Sequence, residues 1–409
     1  MDAWLLTIGS ELTSGATVNS NAAYLARRLA ELGIPCRRQL TVADEQASLL
    51  EAMQEALGRP GLVVLTGGLG PTFDDLTLET LSQASGRPLV RHKDIAARIR
   101  RFYARLGRRL QEAALRQALL PQGASALPNP IGTAPGVWLP LPANLVVALP
   151  GVPSEMRAIM EQSVLPRLKR LGRGTAVATR TLRTAGVAEL SIQGVLARLR
   201  APEAVQVGLY PNLRTVDVRL SATAPSRRQA RLAVRRLEAR LRRALGQAVY
   251  GVDEDTLEAV VGRLLKAKRL TIGVAESCTG GLICDRLTDA PGSSQYLRGG
   301  VIAYHNDLKR GALGVPAGLL KRFGAVSAQT AARMAEGVRR LTTASLGLAI
   351  TGIAGPTGGT AKKPVGLVYL GCSDGRRTQT RACRFFGDRR SIKLQAAQTA
   401  LDWLRRFLL

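Results

Sequence analysis

Seven residues, Ala275-Glu276-Ser277-Cys278-Thr279-Gly280-Gly281, separate a short apolar run (270–274) from a helical pattern that begins at Leu282. A strand that turns this abruptly into a helix belongs to a layered α/β fold. A hydroxyl and a thiol sit side by side on the turn, and two glycines let the backbone come close to a ligand. The N–H groups of the new helix point at the same spot and favour negative charge there. That combination suits a nucleophile beside an oxyanion or phosphate site; its bland alternative is an ordinary helix N-cap. Two more apolar runs end in the same way. Tyr304-His305-Asn306-Asp307-Leu308-Lys309 follows one, and Thr351-Gly352-Ile353-Ala354-Gly355-Pro356 follows another, at 346–350. Open α/β sheets bind ligands at such strand ends.

The first third repeats this grammar. Residues 4–8 read as a strand, Ala22, Leu25, Ala26, Leu29 and Leu32 as a helix face stopped by Gly33, and residues 34–42, 47–57 and 62–65 as strand, helix and strand. The rhythm predicts a doubly wound parallel sheet. Two of its strand ends carry polar loops, Gly9-Ser10-Glu11-Leu12 and Thr66-Gly67-Gly68-Leu69-Gly70-Pro71-Thr72-Phe73-Asp74-Asp75. Gly67, Gly68 and Gly70 permit close approach of a phosphate, and Asp74 and Asp75 offer hard oxygen ligands for a divalent cation, as pyrophosphate cleavage requires. Either aspartate can instead cap the next helix. Between the two α/β blocks, residues 178–184, 188–199, 205–210, 215–222 and 226–245 read as strand, helix, strand, strand and a long basic helix. The expected architecture is α/β: two three-layer α/β domains with largely parallel sheets, residues 1–171 and 253–409, joined by a small α+β module at 174–251.

Composition narrows the chemistry. Only His92 and His305 are present, so a multi-histidine zinc site is excluded, and any metal must be held by oxygen. Five scattered cysteines and the lack of a basic-then-apolar start or a run near ~18 apolar residues predict a cytoplasmic protein with free thiols and no membrane association. The 58 Lys and Arg against 30 Asp and Glu give a net charge of +28, which attracts phosphorylated ligands or nucleic acid, or simply solvates the surface. The basic residues are spread over many helices rather than gathered in one tract.

The turn at 275–281, with Pro291-Gly292-Ser293-Ser294, Gly299-Gly300-Val301, Tyr304 to Lys309, Ala325-Val326-Ser327, Thr351 to Pro356 and Gly387-Asp388-Arg389, closely resembles the C-terminal domain of the CinA (competence/damage-inducible protein A) family. Ile8 to Leu12, Asn19-Ser20-Asn21, Gly67 to Thr77, Ala118 to Pro121, Asn129-Pro130, Gly132 to Gly136 and Leu149 to Met156 resemble the molybdopterin-binding, MoaB/MogA-like domain of full-length CinA proteins. The middle block looks like that family's KH-type module, although it lacks a clear Gly-x-x-Gly loop and so reads as a spacer or dimer element. His305 stands where the family often carries a small residue. The resemblance implies deamidation of nicotinamide mononucleotide to nicotinate mononucleotide and ammonia in the C-terminal domain, without a cofactor. For the N-terminal domain it implies metal-dependent cleavage of ADP-ribose to AMP and ribose 5-phosphate, with Mg, Mn or Co, and a homodimer is expected.

For such a deamidase, Ser277 is the expected nucleophile and Lys309 the base, with Tyr304 as proton relay and Glu276 orienting the base or the amide nitrogen. Thr279, Gly280, Gly281, Thr351 and Gly352 form the expected oxyanion and substrate cradle, and Arg389 the phosphate contact, with Arg390 as its rival. Cys278 is the rival nucleophile, and Lys309 can instead be a surface lysine. In the N-terminal domain Gly9, Glu11, Asn21, Gly67, Gly68, Gly70 and Thr72 are the candidate phosphate and nucleotide contacts, with Asp74 and Asp75 on the metal. Two other classes stay open: a DNA-associated accessory protein of competence or recombination, and an N-terminal pterin carrier without hydrolase activity.

Overall fold

The computed structural model describes residues 1–107, 109–171 and 176–409. Gly174, the expected start of the middle module, lies outside them. Two compact units form, Met1–Ala178 with Thr223–Ala230, and Thr179–Ala222 with Arg231–Leu409.

The N-terminal strands are β1 (Ala3–Ile8), β2 (Cys36–Val42), β3 (Gly61–Thr66), a separate ribbon of β4 (Leu89–Arg91) and β5 (Leu119–Pro121), then β6 (Ser125–Leu127), β7 (Gly136–Pro140) and β8 (Asn144–Leu149). The main sheet runs β2-β1-β3-β8-β7-β6, with β2, β1, β3 and β8 parallel and β7 and β6 antiparallel at one edge. Alternation in β1 builds both faces: Trp4, Leu6 and Ile8 enter one core, and Ala3 and Leu5 enter the other. The chain leaves β1 for β2 on one side and returns to β3 on the other. The strand order therefore reverses between β1 and β3, where an open sheet has its ligand crevice.

The middle module comprises β9 (Ala176–Ala185), β10 (Val205–Asn212), β11 (Thr215–Ala224) and β12 (Val249–Val252) in the order β10-β11-β9-β12, with helices Glu189–Leu199 and Arg227–Leu245. The strand β12 is missing from the sequence reading because four residues are too few to show an alternation.

In the C-terminal domain β13 (Ile272–Glu276), β14 (Leu297–Ile302), β15 (Leu346–Gly352), β16 (Leu367–Ser373) and β17 (Thr378–Arg384) form a sheet ordered β14-β13-β15-β16-β17. The first three are parallel and the last two antiparallel. Its two faces differ in bulk. Ile272, Val274, Leu346, Leu348, Ile350, Val368 and Leu370 pack into the larger core with helices Leu257–Ala267 and Arg389–Leu408. The alternate positions are small: Gly273, Ala275, Gly347, Ala349 and Gly371. This bare face lets helix Ala328–Leu341 lie almost backbone to backbone on the sheet. A Cβ on Gly347 would come within 2.0 Å of Ala335 O, and one on Gly371 within 2.3 Å of Ala331 O.

Gly347→Ala is therefore expected to cost about 1–3 kcal/mol by overpacking. Gly318→Ala, on a helix with nothing within 4 Å of the new Cβ, is expected to stabilise by up to about 1 kcal/mol. Urea unfolding of the two variants checks the contrast; equal midpoints would contradict this packing.

Candidate active site and phosphate clefts

The strand order of the C-terminal sheet reverses between β13 and β15, and the turn at 275–281 leaves β13 at that point. Gly280 and Gly281 have φ of +64° and +101°, values that side-chain-bearing residues rarely adopt. Ser277 is pinned from below by its N–H donating to Ile350 O at 3.0 Å. The register pairs Glu276 with Ile302 and Ile350. Ser277 thus leaves β13 one residue past that register, at the level where Ala303 leaves β14 and Thr351 continues β15.

Lys309 enters from the Ala303 side. Helix Asn306–Gly311 follows β14, and the Lys309 side chain folds back under it, 1% exposed. Its Nζ donates to Ala303 O at 2.8 Å and Tyr304 O at 3.0 Å. It is not a surface lysine. Burial lowers its pKa below the ordinary lysine value, with the Cys278 thiol acting weakly in the opposite sense. Two carbonyl acceptors take two of the N–H bonds of Nζ and leave its third position for a ligand or nucleophile. Ser277 Oγ is not among the partners of Lys309, so the nucleophile–base contact remains to be closed by substrate.

Several expected roles change. Glu276 does not orient the base: its buried carboxylate accepts from the N–H groups of Gly281 (3.0 Å), Ile283 (3.0 Å) and Cys284 (2.8 Å). It therefore caps the helix Leu282–Asp289 from within and consumes the N–H groups expected to favour an anion. Gly280 N–H is also spent, on Ser277 O at 3.2 Å. Thr351 Oγ1 donates to Ala325 O at 2.8 Å, and Gly352 is small because a Cβ would meet Val368 Cγ2 at 2.6 Å; both serve the frame of the cradle. Thr279 stands apart, since its fully buried hydroxyl has no partner among the described residues. The Cys278 thiol is pushed up to about 12, chiefly by burial, so it is protonated at neutral pH and a poor nucleophile.

Tyr304 turns its phenol away from Lys309. The hydroxyl accepts from Arg389 Nη2 at 2.9 Å, while Arg389 Nη1 donates to Gly355 O at 2.7 Å. Arg389 thereby links the loops after β14 and β15 on either side of Ser277, which separates it from Arg390. Three of its five N–H bonds remain for a ligand. Beside it opens a cleft of about 560 Å³ lined by Leu282, Asp388, Arg389, Arg390, Lys393 and Leu394. Lys393 was not anticipated; its Nζ is 3.6 Å from where a Gly280 Cβ would stand. The i, i+4 spacing from Arg389 on helix Arg389–Leu408 is the signal that could have found it. His305 caps helix Asn306–Gly311, its Nδ1 accepting from Asp307 N–H.

In the N-terminal domain Glu11 and Asn21 line one cavity of about 190 Å³, together with Thr7, Asn19, Thr66 and Gly151. The buried Asn21 Oδ1 has no partner among the described residues. The Glu11 carboxylate folds against Gly9, where a Cβ would meet Oε1 at 2.5 Å. Gly67 sits where a Cβ would meet Ile8 O at 2.1 Å, so it holds the ends of β1 and β3 together. Gly68 and Gly70 belong to a different cleft, with Asp75, Arg116 and Gln117. Neither aspartate caps helix Thr77–Ser85. Asp75 instead locks the loop: it accepts from Gly70 N at 2.7 Å, Thr72 N at 2.8 Å and the Thr72 hydroxyl. Asp74 is exposed, and its carboxyl pKa is lowered, chiefly by the polar Thr72 side chain beside it. No cluster of three metal-ligating side chains occurs among the described residues. A single free carboxylate beside a committed one fits a cation such as Mg²⁺ that keeps its waters and borrows phosphate oxygens.

A doubly wound N-terminal domain, a KH-type module and a second α/β domain with a serine turn at its switch point define a composite class of protein. Residues 4–170 match the family described as "Probable molybdopterin binding domain", 179–251 the "Damage-inducible protein CinA KH domain" and 254–408 the "CinA C-terminal domain". A CinA-like protein of Cyanothece sp. is 44% identical over 409 residues, covering 99% of this chain and 98% of its own. One of Geobacter metallireducens is 42% identical over 407 residues, covering 99% and 98%. The chain belongs to the CinA family. Among solved structures, the competence/damage inducible protein CihA from Agrobacterium tumefaciens is 40% identical over 37% of this chain and 94% of its own, with a TM-score of 0.35. No helix among the described residues is long and apolar enough to cross a membrane.

Glu276→Ala, which strands three buried N–H groups, is expected to lower stability by at least about 1–3 kcal/mol. Glu276→Gln keeps one acceptor and should lose less. Urea unfolding checks the order; an unchanged Glu276→Ala midpoint would remove the capping role.

Proposed function

We propose that the C-terminal domain is an amidohydrolase that converts nicotinamide mononucleotide to nicotinate mononucleotide and ammonia. We also propose that the N-terminal domain is a metal-dependent hydrolase that cleaves ADP-ribose to AMP and ribose 5-phosphate. The observation that carries the first reading is Lys309, buried at the end of β14, the strand paired with the one that leads into Ser277, and seated on two carbonyl oxygens.

Ser277 Oγ attacks the carboxamide carbon while its proton passes to Lys309 Nζ. The C–O bond forms as the carbonyl π pair moves onto oxygen, toward the Thr279 side of the turn. Lys309 returns the proton to the amide nitrogen, the C–N bond breaks, and ammonia leaves. Water then hydrolyses the Ser277 ester with Lys309 again accepting and returning the proton. Arg389 and Lys393 hold the 5′-phosphate, and the pyridinium charge further disfavours a protonated Lys309. In the N-terminal domain Asp74, beside the loop that Asp75 locks, would hold a divalent ion that neutralises phosphoryl charge. Asn21 and Glu11 orient the nucleotide in the cavity between β1 and β3.

Ammonia release from nicotinamide mononucleotide tests the first reading. Ser277→Ala and Lys309→Ala should each lose at least about 100-fold in kcat, while Cys278→Ala stays near wild type. A folded wild type without turnover, or a Cys278→Ala loss with Ser277→Ala active, would overturn it. For the second reading, AMP release from ADP-ribose should require Mg²⁺ or Mn²⁺ and fall in Asp74→Asn. Metal-independent release would refute it.

A further inference from the structure

The strand β9 of the KH-type module ends at Ala185-Gly186. There it faces the last helix of the C-terminal domain, within the same compact unit. A cavity of about 90 Å³ lies between them, ringed by the guanidiniums of Arg214, Arg381 and Arg406. Arg406 is oriented from two sides, Nε donating to Asp402 Oδ2 at 2.9 Å and Nη2 to Ala185 O at 3.2 Å. Asp402 is the one carboxylate among the described residues lining the cavity, and its charge is shared with a second, buried guanidinium, Arg405, at 2.7 Å. Asp402 thus answers two guanidiniums, Arg405 and Arg406, while Arg214 and Arg381 line the same cavity. Arg214 is held in place by stacking on Phe385, 5.5 Å from the ring centre. Burial pushes the half-buried Cys383 thiol up, and the charges of Arg381 and Arg214 act in the opposite sense. Gly186, at φ +69°, closes the opposite wall; a Cβ there would stand 3.2 Å from Arg406 Nη2. The space admits a small tetrahedral anion.

We infer that this cavity is a binding site for a phosphoryl oxyanion. Bidentate guanidinium donors are what such a group requires, and the surplus positive charge gives it an attraction that a water cannot satisfy. The anion bridges the two parts of the unit by drawing Arg214 toward Arg381 and Arg406. The same chemistry is presented by inorganic phosphate, by the monoester of a nucleotide and by a nucleic-acid backbone. The site is distant in sequence from Ser277 and does not rest on the proposed deamidase reaction.

Cys383 gives a local readout that other anion sites in the protein do not reach. An anion that neutralises Arg214 and Arg381 raises the thiol pKa, so alkylation of Cys383 by iodoacetamide at pH 9 should slow at least about threefold when inorganic phosphate saturates the intact protein. The effect should vanish in the Arg214→Gln/Arg381→Gln double variant and persist in Arg389→Gln, whose guanidinium belongs to the other cleft. AMP acting at lower concentration than phosphate would name a nucleotide as the source. A single-stranded oligonucleotide acting only at low salt would name a nucleic-acid backbone. A Cys383 rate indifferent to all three probes in the wild type, or a phosphate effect retained in the double variant, would overturn the inference.

Discussion

A lysine side chain that ends inside a protein must either find a counter-charge or give up its proton. Lys309 finds no carboxylate among the described residues: its Nζ meets the carbonyl oxygens of Ala303 and Tyr304. Its nearest carboxylate in sequence, Asp307, is turned to His305 and Arg310. The nearby carboxylate of Glu276 is fully engaged in capping a helix. The proposed chemistry follows from this arrangement. Burial without a carboxylate lowers the Lys309 pKa and so favours the role of base that is proposed for it, whereas pairing with a carboxylate would hold it as an ammonium.

Two features of the frame hold that arrangement. Small residues on one face of the sheet bring helix Ala328–Leu341 close under β15 and β16, which leaves little freedom at the ends of β13 and β15. Glu276 then fixes the turn from inside. By spending itself on three backbone N–H groups it removes the helix terminus as an anion site and leaves the Arg389–Lys393 side for the proposed phosphate. The Tyr304–Arg389–Gly355 link ties the two loops that flank Ser277, so a phosphate gripping Arg389 would be felt by both.

Much of this was legible in the sequence. The strand–turn–helix at 275–281, the polar loops after the next two strands and the doubly wound start all follow from hydrophobic period and glycine placement. These patterns depend on neighbours in the chain. Roles that depend on where an atom ends up were not legible. Glu276 and Tyr304 sit beside the nucleophile and the base in sequence, yet one turns inward to a helix and the other outward to an arginine. Asp74 and Asp75 are adjacent and look equivalent, but only the fold shows that Asp75 is consumed by Gly70 and Thr72. Lys393 was missed because its partner, Gly280, is more than a hundred residues away.

Direct titration of the Lys309 amine tests the central claim. In protein carrying [15N]lysine, with the Lys309 resonance identified by Lys309→Arg, the Nζ shift should titrate below the ~10.4 of a free lysine. Between that lowered value and ~10.4 the unfolded chain binds the extra proton, so wild-type stability should rise with pH across this window relative to Lys309→Arg. A Lys309 resonance that titrates at or above the free-lysine value would mean a permanent ammonium, and the site would lose its base.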